Sequence, residues 1–294
     1  MVIPYAAGGA YDVLGRILAP GISDLLGQQI VIENVTGAGG MVGAARVAKA
    51  PPDGYQFVLG GIGTHAHNQT LYKNPLYNAA ADFAPVVLLV EQPTIVIARN
   101  DLPAGNLREF IAYARDKQAT MQYGSAGVGS PGHLACALLN FAIGIKVPHV
   151  PYRGATLAMQ DLIAGRLDYQ CLNASSAVQQ IEGGLVKAIT ILAKNRSPIL
   201  PNLTSAKEEG LNDFEANQWF AFFLPRDTPA PIVRKLHDAA VATMESAPVR
   251  QKLKELGAEV VAPDRRSPDY LGKFVRDEID KWAAAIKAAG LAGQ

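Results

Sequence analysis

The sequence predicts an α/β protein built as two doubly wound α/β lobes joined by two crossings around a hinged cleft. Short apolar runs alternate with helical patterns, which is how a sheet covered by helices is written in sequence. Glycine-rich turns recur at the ends of those runs. Two breaks, Asn100-Asp101-Leu102-Pro103 and Pro225-Arg226-Asp227-Thr228-Pro229, divide the 294 residues into parts of domain size.

In chain order, residues 2–5 read as a strand end. They are followed by Ala6-Ala7-Gly8-Gly9-Ala10-Tyr11-Asp12 and a helix over 13–26, bent at Pro20. A second strand, 30–33, leads through Gly37-Ala38-Gly39-Gly40 into a helix ending near residue 50. Pro51-Pro52-Asp53-Gly54 is turn chemistry ahead of a strand at 56–59, which ends in Gly60-Gly61-Ile62-Gly63-Thr64-His65. After a polar surface stretch to Asp82, two apolar runs, 86–90 and 94–98, reach the first break. The pattern then restarts: helix 107–117, strand 121–124, the loop Gly124-Ser125-Ala126-Gly127-Val128-Gly129-Ser130-Pro131-Gly132-His133, helix 133–141 and strand 146–150. Helix 157–164, strand 168–173, helix 175–182 and strands 187–192 and 218–224 complete that part. The remainder is mostly helical with one short strand at 259–261, and it cannot form an α/β layer alone. The expected division is therefore a discontinuous first lobe of 1–102 plus 226–294 and an inserted second lobe of 103–225, each with a largely parallel sheet.

Composition narrows the function classes. Hydrophobic residues make up 49% and charged residues 18%, with a formal net charge of +1, so no footprint for nucleic acid or an anionic membrane surface is present. The longer apolar runs fall well short of the roughly 20 residues that span a bilayer. Met1-Val2-Ile3-Pro4-Tyr5 shows no basic segment followed by an apolar one, which leaves open a cytoplasmic protein or one whose export signal lies outside this chain. Cys136 and Cys171 form no zinc or redox motif. Two buried thiols are the plainer reading, and one disulfide is the other.

The chemistry-bearing candidates cluster in the glycine turns. Glycines let backbone N–H groups approach a ligand, and the first amides of the helix after Pro131 lack helical partners, so the 124–133 loop reads as a cradle for a carboxylate or phosphate. A Walker A loop is excluded by Gly129-Ser130-Pro131, and a nucleophile elbow by Val128 two residues before Ser130. The 37–43 turn matches a dinucleotide fingerprint only loosely. His65 and His67 lack a third ligand at zinc-like spacing, so no metal and no cofactor is expected. In an open α/β sheet, ligands gather at the carboxyl ends of strands, so turns 6–12 and 60–65 are expected to face 124–133 across the cleft. One cradle per lobe suits a molecule with two carboxylates. Asp12 is read as support for its loop, His65 as lining the cleft, and His133 as orienting the second loop or bonding the ligand. Trp219, Phe220, Phe222 and Phe223 are read as core packing.

Pro4-Tyr5-Ala6-Ala7-Gly8-Gly9 with Asp12, Glu33-Asn34 before the 37–40 glycines, Ala50-Pro51-Pro52-Asp53-Gly54-Tyr55, Ser125-Ala126-Gly127 to His133-Leu134, and Val150-Pro151-Tyr152-Arg153-Gly154 together resemble the Bug family, the solute-binding proteins of tripartite tricarboxylate transporters. The resemblance runs nearly end to end. It implies a type II periplasmic-binding-protein-like fold, a periplasmic location, a monomer without catalysis, a small carboxylate as ligand and a membrane permease as partner. The family's contacts fall on Tyr5, Ala6, Gly8, Gly9, Tyr11, Asp12, Thr64 and His65 in the first lobe. In the second they fall on Gly127, Val128, Gly129, Ser130 and His133, and Tyr152 and Asn173 are expected beside them as further ligand contacts. Where the family often has Asp-Asn at a strand end, this chain has Leu172-Asn173, which removes a partner for a ligand ammonium and argues against an amino acid. Tyr11 replaces a usually small residue. With Leu172 it predicts a dicarboxylate with an apolar middle, either aromatic such as a phthalate isomer or aliphatic such as adipate. Two rival readings stand beside this one: a serine hydrolase using Ser130, and a ligand-sensing partner of a membrane sensor.

Overall fold

The computed structural model describes residues 1–212 and 214–293. Strand β1 (Val2–Ile3) stops at Pro4, and the glycine loop that follows opens helix α1 (Ala10–Leu26). Gly9 is its N-cap, so the helix begins three residues ahead of the expected start. Tyr11, Leu14, Leu18 and Ile22 recur at helical spacing to form its buried stripe. Strand β2 (Glu33–Asn34) lies a little downstream of the apolar run that predicts it. Its position follows from pairing, since the Glu33 and Val35 amides donate to the carbonyls of Met1 and Ile3.

The chain continues through α2 (Met41–Ala48), β3 (Val58–Gly61), a tight turn at Gly63–His67, α3 (Asn68–Leu71) and β4 (Phe83–Gln92). Next come β5 (Thr94–Arg99), α4 (Leu107–Lys117), β6 (Tyr123–Ser125), α5 (Pro131–Ile143), β7 (His149–Pro151) and α6 (Ala155–Ile163). Then follow β8 (Tyr169–Asn173), α7 (Val178–Glu182), β9 (Val186–Ile191) and β10 (Gln218–Pro225). The last elements are α8 (Ala230–Glu245), α9 (Ala247–Glu255), β11 (Glu259–Val260) and α10 (Pro268–Ala288).

These elements form two compact units, Met1–Glu91 with Trp219–Gln294, and Gln92–Gln218. The first unit holds a six-stranded sheet in the order β11-β4-β10-β3-β1-β2. β1 pairs in parallel with both β2 and β3, whereas β10 runs antiparallel to β3 and β11 antiparallel to β4. Its core gathers Leu14, Leu18 and Ile22 of α1 with Leu59, Val87, Phe220, Phe222 and Leu236.

The second unit holds a five-stranded sheet, β7-β6-β8-β5-β9. β6 pairs in parallel with β7 and β8, and β5 runs antiparallel to β8 and β9. Alternation along β5 sends Val96 and Ala98 to one core with Phe110 and Leu139, and Ile95 and Ile97 to the other with Met159 and Leu162. Helices therefore cover both faces of this sheet. The Cys136–Cys171 disulfide ties α5 to β8, so of the two readings of the cysteines the structure carries the disulfide.

Three expectations change. The two sheets are mixed rather than largely parallel, because β5 and β10 enter them antiparallel. The units divide after Glu91 and after Gln218, upstream of the expected 102/103 and 225/226. Ladder pairing places β5 in the second sheet and β10 in the first, whatever the turn chemistry further along. The polar stretch before Asp82 is partly interior: Asn68, Leu71 and Tyr77 are buried, and His67 meets Trp282 of α10 edge-on at 4.7 Å.

Candidate functional site

In the first unit the loop from Pro4 to Gly9 lies at the carboxyl end of parallel β1 and opens α1. Its tip, Ala7 and Gly8, is exposed, and Gly8 has φ +79°, a conformation open to glycine. Asp12 fastens this tip. Its carboxylate accepts the Gly8 N–H at 3.0 Å, the Arg16 Nε–H at 2.9 Å and an Asn34 Nδ2–H at 3.0 Å. Burial alone would raise the Asp12 pKa, but the bonds from Arg16, Gly8 and Asn34 outweigh it and hold the carboxyl below its ordinary value. Asn34 also donates to the Tyr5 carbonyl, and Tyr5 Oη donates to the Gly39 carbonyl, both at 3.0 Å. Ala6 completes the loop, its carbonyl accepting the Gly9 N–H.

Tyr11 faces inward. Its ring lies 4.5 Å from Tyr5 and 4.6 Å from Phe220, only 4% of the residue is exposed, and its hydroxyl is buried against Gly61 without a hydrogen-bond partner. The expected aromatic wall near the cradle is thus a core side chain. Leu172 is likewise interior, packed among Ile95, Ile97 and Leu162. Neither residue offers the apolar middle of a ligand a surface.

The Gly60–His65 turn is also a packing device. A Cβ at Gly60 would strike the His65 ring, and one at Gly61 would strike Tyr11 Oη and the Trp219 carbonyl. Thr64 is fully buried. Its Oγ1 accepts the Gly61 N–H at 3.1 Å, and its carbonyl accepts from Tyr77 Oη at 2.6 Å. His65, expected to line the cleft, has no exposed surface and stacks on Phe223 at 3.7 Å with an 8° interplanar angle. Burial drives its pKa down to about 3, so it is a neutral ring in the core.

In the second unit the corresponding loop lies at the carboxyl end of parallel β6 and opens α5. Gly127 and Gly129 have φ of +116° and +81°, and Ala126, Gly127 and Val128 form its half-exposed tip. Ser130 is the N-cap of α5 and is fully buried: its Oγ accepts the His133 N–H at 3.4 Å and donates to Ser125 Oγ at 3.3 Å. A capping hydroxyl buried in this way is no free nucleophile. Further loop amides are already engaged: Ser130 N–H with the Gly127 carbonyl at 3.1 Å, Gly127 N–H with Ser125 Oγ at 3.1 Å, and Gly129 N–H with His133 Nδ1 at 3.3 Å. The last bond makes His133 Nδ1 an acceptor, so the neutral ring carries its proton on Nε2. Burial and then the neighbouring His149 lower the His133 pKa to about 3.

Tyr152 lies beside Gly127, with its hydroxyl on Asp161 at 2.6 Å, and Asn173 donates to Gln92 Oε1 at 2.8 Å. Ser125, Asn34 and His149 are the supports that sequence reasoning passed over as site residues. His149 sits in an apolar run, and a ring carrying polar atoms in such a strand is the signal that singles it out. No cluster of potential metal ligands occurs among the described residues.

The two loops share a chemical character. Each is an arc of backbone at a strand end, opening a helix whose N-terminal dipole favours an anion, and Asp12 is the only charged side chain in 5–12, 60–65 or 124–133. Comparison with known proteins bears on that character. A family model described as the tripartite tricarboxylate transporter family receptor matches residues 14–291. Among solved structures, MatC from Rhodopseudomonas palustris, with bound malate, is 38% identical with a TM-score of 0.93, covering 97% of both chains. The periplasmic binding protein BugD is 36% identical with a TM-score of 0.95, covering 100% of this chain and 98% of that one. A second R. palustris protein, solved with adipate, is 33% identical with a TM-score of 0.94, covering 100% and 97%.

Proposed function

This chain belongs to the tripartite tricarboxylate transporter receptor family, a group of extracytoplasmic carboxylate-binding proteins and not enzymes, and on that premise we propose that it captures an aliphatic non-amino dicarboxylate in the periplasm and delivers it to a membrane permease. On this reading backbone amides take the carboxylates, with Tyr5 to Asp12 and Gly127 to Ser130 with His133 as the candidate loops.

The observation that carries this reading is the state of the lone loop carboxylate. Asp12 is only 3% exposed and is consumed by three donors within its own unit. An ammonium-bearing ligand finds no free counter-charge in either loop, while an anion finds helix N-termini and glycine backbone. The inward packing of Tyr11 and Leu172 removes the argument for an aromatic ligand. The malate and adipate bound by the two R. palustris proteins are both aliphatic and without an amino group.

A thermal-shift and calorimetric screen tests this directly. Malate, succinate or adipate at about 100 times its dissociation constant adds about 2.7 kcal/mol to stability and raises Tm. Aspartate and phthalate are expected to leave Tm unchanged. A shift with aspartate, or none with any dicarboxylate, overturns the reading. The hydrolase reading lacks a free hydroxyl, because Ser130 is a buried cap.

A further inference from the structure

The second loop is held from outside its own sequence. β6 and β7 run parallel with Tyr123 opposite His149, so the Tyr123, Ser125 and His149 side chains emerge on one face of the sheet. On that face His149 Nε2 lies 2.7 Å from Ser125 Oγ. The same Oγ accepts the Gly127 N–H and the Ser130 hydroxyl, and it lies 3.1 Å from the Gly127 carbonyl. One fully buried hydroxyl thereby joins the strand end, the glycine tip and the cap of α5.

Rings complete the support. His149 packs 4.2 Å from His133 and 4.9 Å from Tyr123, and His133 holds Gly129 from the other side. Burial lowers the His149 pKa to about 4, so the ring is neutral near pH 7. Its hydrogen bond into the loop goes to Ser125.

We propose that His149 is a positioning residue for ligand capture: through Ser125 it sets the conformation of the Gly127–Ser130 arc before any ligand arrives. Gly127 and Gly129 give the arc its left-handed turns and, by the same freedom, nothing that would hold them. Such an arc needs a fixed point, and the Ser125 hydroxyl backed by His149 is that point. Preorganisation of this kind tightens binding by reducing the ordering cost on association.

The test uses the whole chain with His149→Phe, His149→Gln and Ser125→Ala, and it reads two quantities. The first, independent of any ligand, is hydrogen exchange at the Gly127 amide compared with amides elsewhere in residues 92–218. The second, which rests on the carboxylate reading, is affinity for malate and adipate. His149→Phe keeps the ring packing and loses the nitrogen. It is expected to speed Gly127 exchange about tenfold and to weaken binding about tenfold, with exchange elsewhere in the unit unchanged. His149→Gln returns a polar atom to the site and is expected to restore both to within about threefold. Ser125→Ala, which leaves His149 in place, is expected to match His149→Phe and serves if that variant does not fold. Unchanged Gly127 exchange in both His149→Phe and Ser125→Ala overturns the proposal, as does a uniform rise across the unit that glutamine does not reverse. If the wild-type protein binds no dicarboxylate while Gly127 exchange responds as stated, the carboxylate reading fails and the positioning role stands.

Discussion

Asp12 and His65 show how differently one buried polar residue and another serve the same unit. Asp12 is an ionised carboxylate whose three donors each satisfy a lone pair, so burial costs little and the Gly8 tip is pinned. Asp12→Ala leaves the Gly8 and Asn34 donors without their acceptor. It is expected to lower unfolding stability by about 2 kcal/mol in urea titrations. His65 is a neutral ring held by stacking on Phe223. Its folded pKa, about 3, lies below the ordinary 6.5, so the unfolded chain binds the extra proton between those values. Its contribution to stability is therefore complete above about pH 6.5 and is lost as pH falls toward 3, at about 1.4 kcal/mol per pH unit. His133 and His149, lowered to about 3 and about 4, add to the same slope. Stability measured from pH 6 to pH 4 is expected to fall, and in His65→Phe to fall less steeply by about one proton. Equal slopes in the two proteins would show that His65 does not titrate on unfolding.

At the scale of elements, α5 follows the second loop, and its seating fixes the helix end of that loop in the unit. Pro131 begins the helix in the position where a missing N–H costs nothing, Ser130 caps it, and Cys136 in its second turn is bonded to Cys171 of β8. Gly132 is needed because a Cβ there would strike the Cys171 carbonyl. The disulfide closes a stretch of 35 residues, which corresponds to about 3–4 kcal/mol in the chain-entropy account. The double variant Cys136→Ser, Cys171→Ser is expected to lose a large part of that, read as a fall in Tm. A Tm equal to that of the wild type would show that packing alone seats α5. A disulfide at this position also suits an oxidising compartment outside the cytoplasm.

For the molecule as a whole, a net charge of +1 and loops without free charged side chains predict binding that salt barely changes. Dicarboxylate affinity measured at about 50 and 500 mM salt is expected to differ by less than about threefold, since backbone dipoles in half-buried loops are screened less than surface charges. A steep loss with salt would point to lysine or arginine contacts instead. Much of this was legible in the sequence. Glycine turns at the ends of apolar runs and helix periodicity are local signals, and they gave the α/β architecture and both glycine loops, in which Gly8, Gly127 and Gly129 take positive φ. The inward packing of Tyr11, His65 and Leu172 was not legible, and neither were the sheet membership of β5 and β10, the disulfide or the support from His149. Each of these rests on residues far apart in the chain, such as Tyr11 against Phe220, His65 against Phe223 and Ser125 against His149. The sequence by itself thus determined which elements form and where the glycine turns fall between them, because φ preference and periodicity act over a few residues. Only the tertiary structure decided which polar and aromatic side chains are core and which hold the loops, because burial is a property of the packed chain.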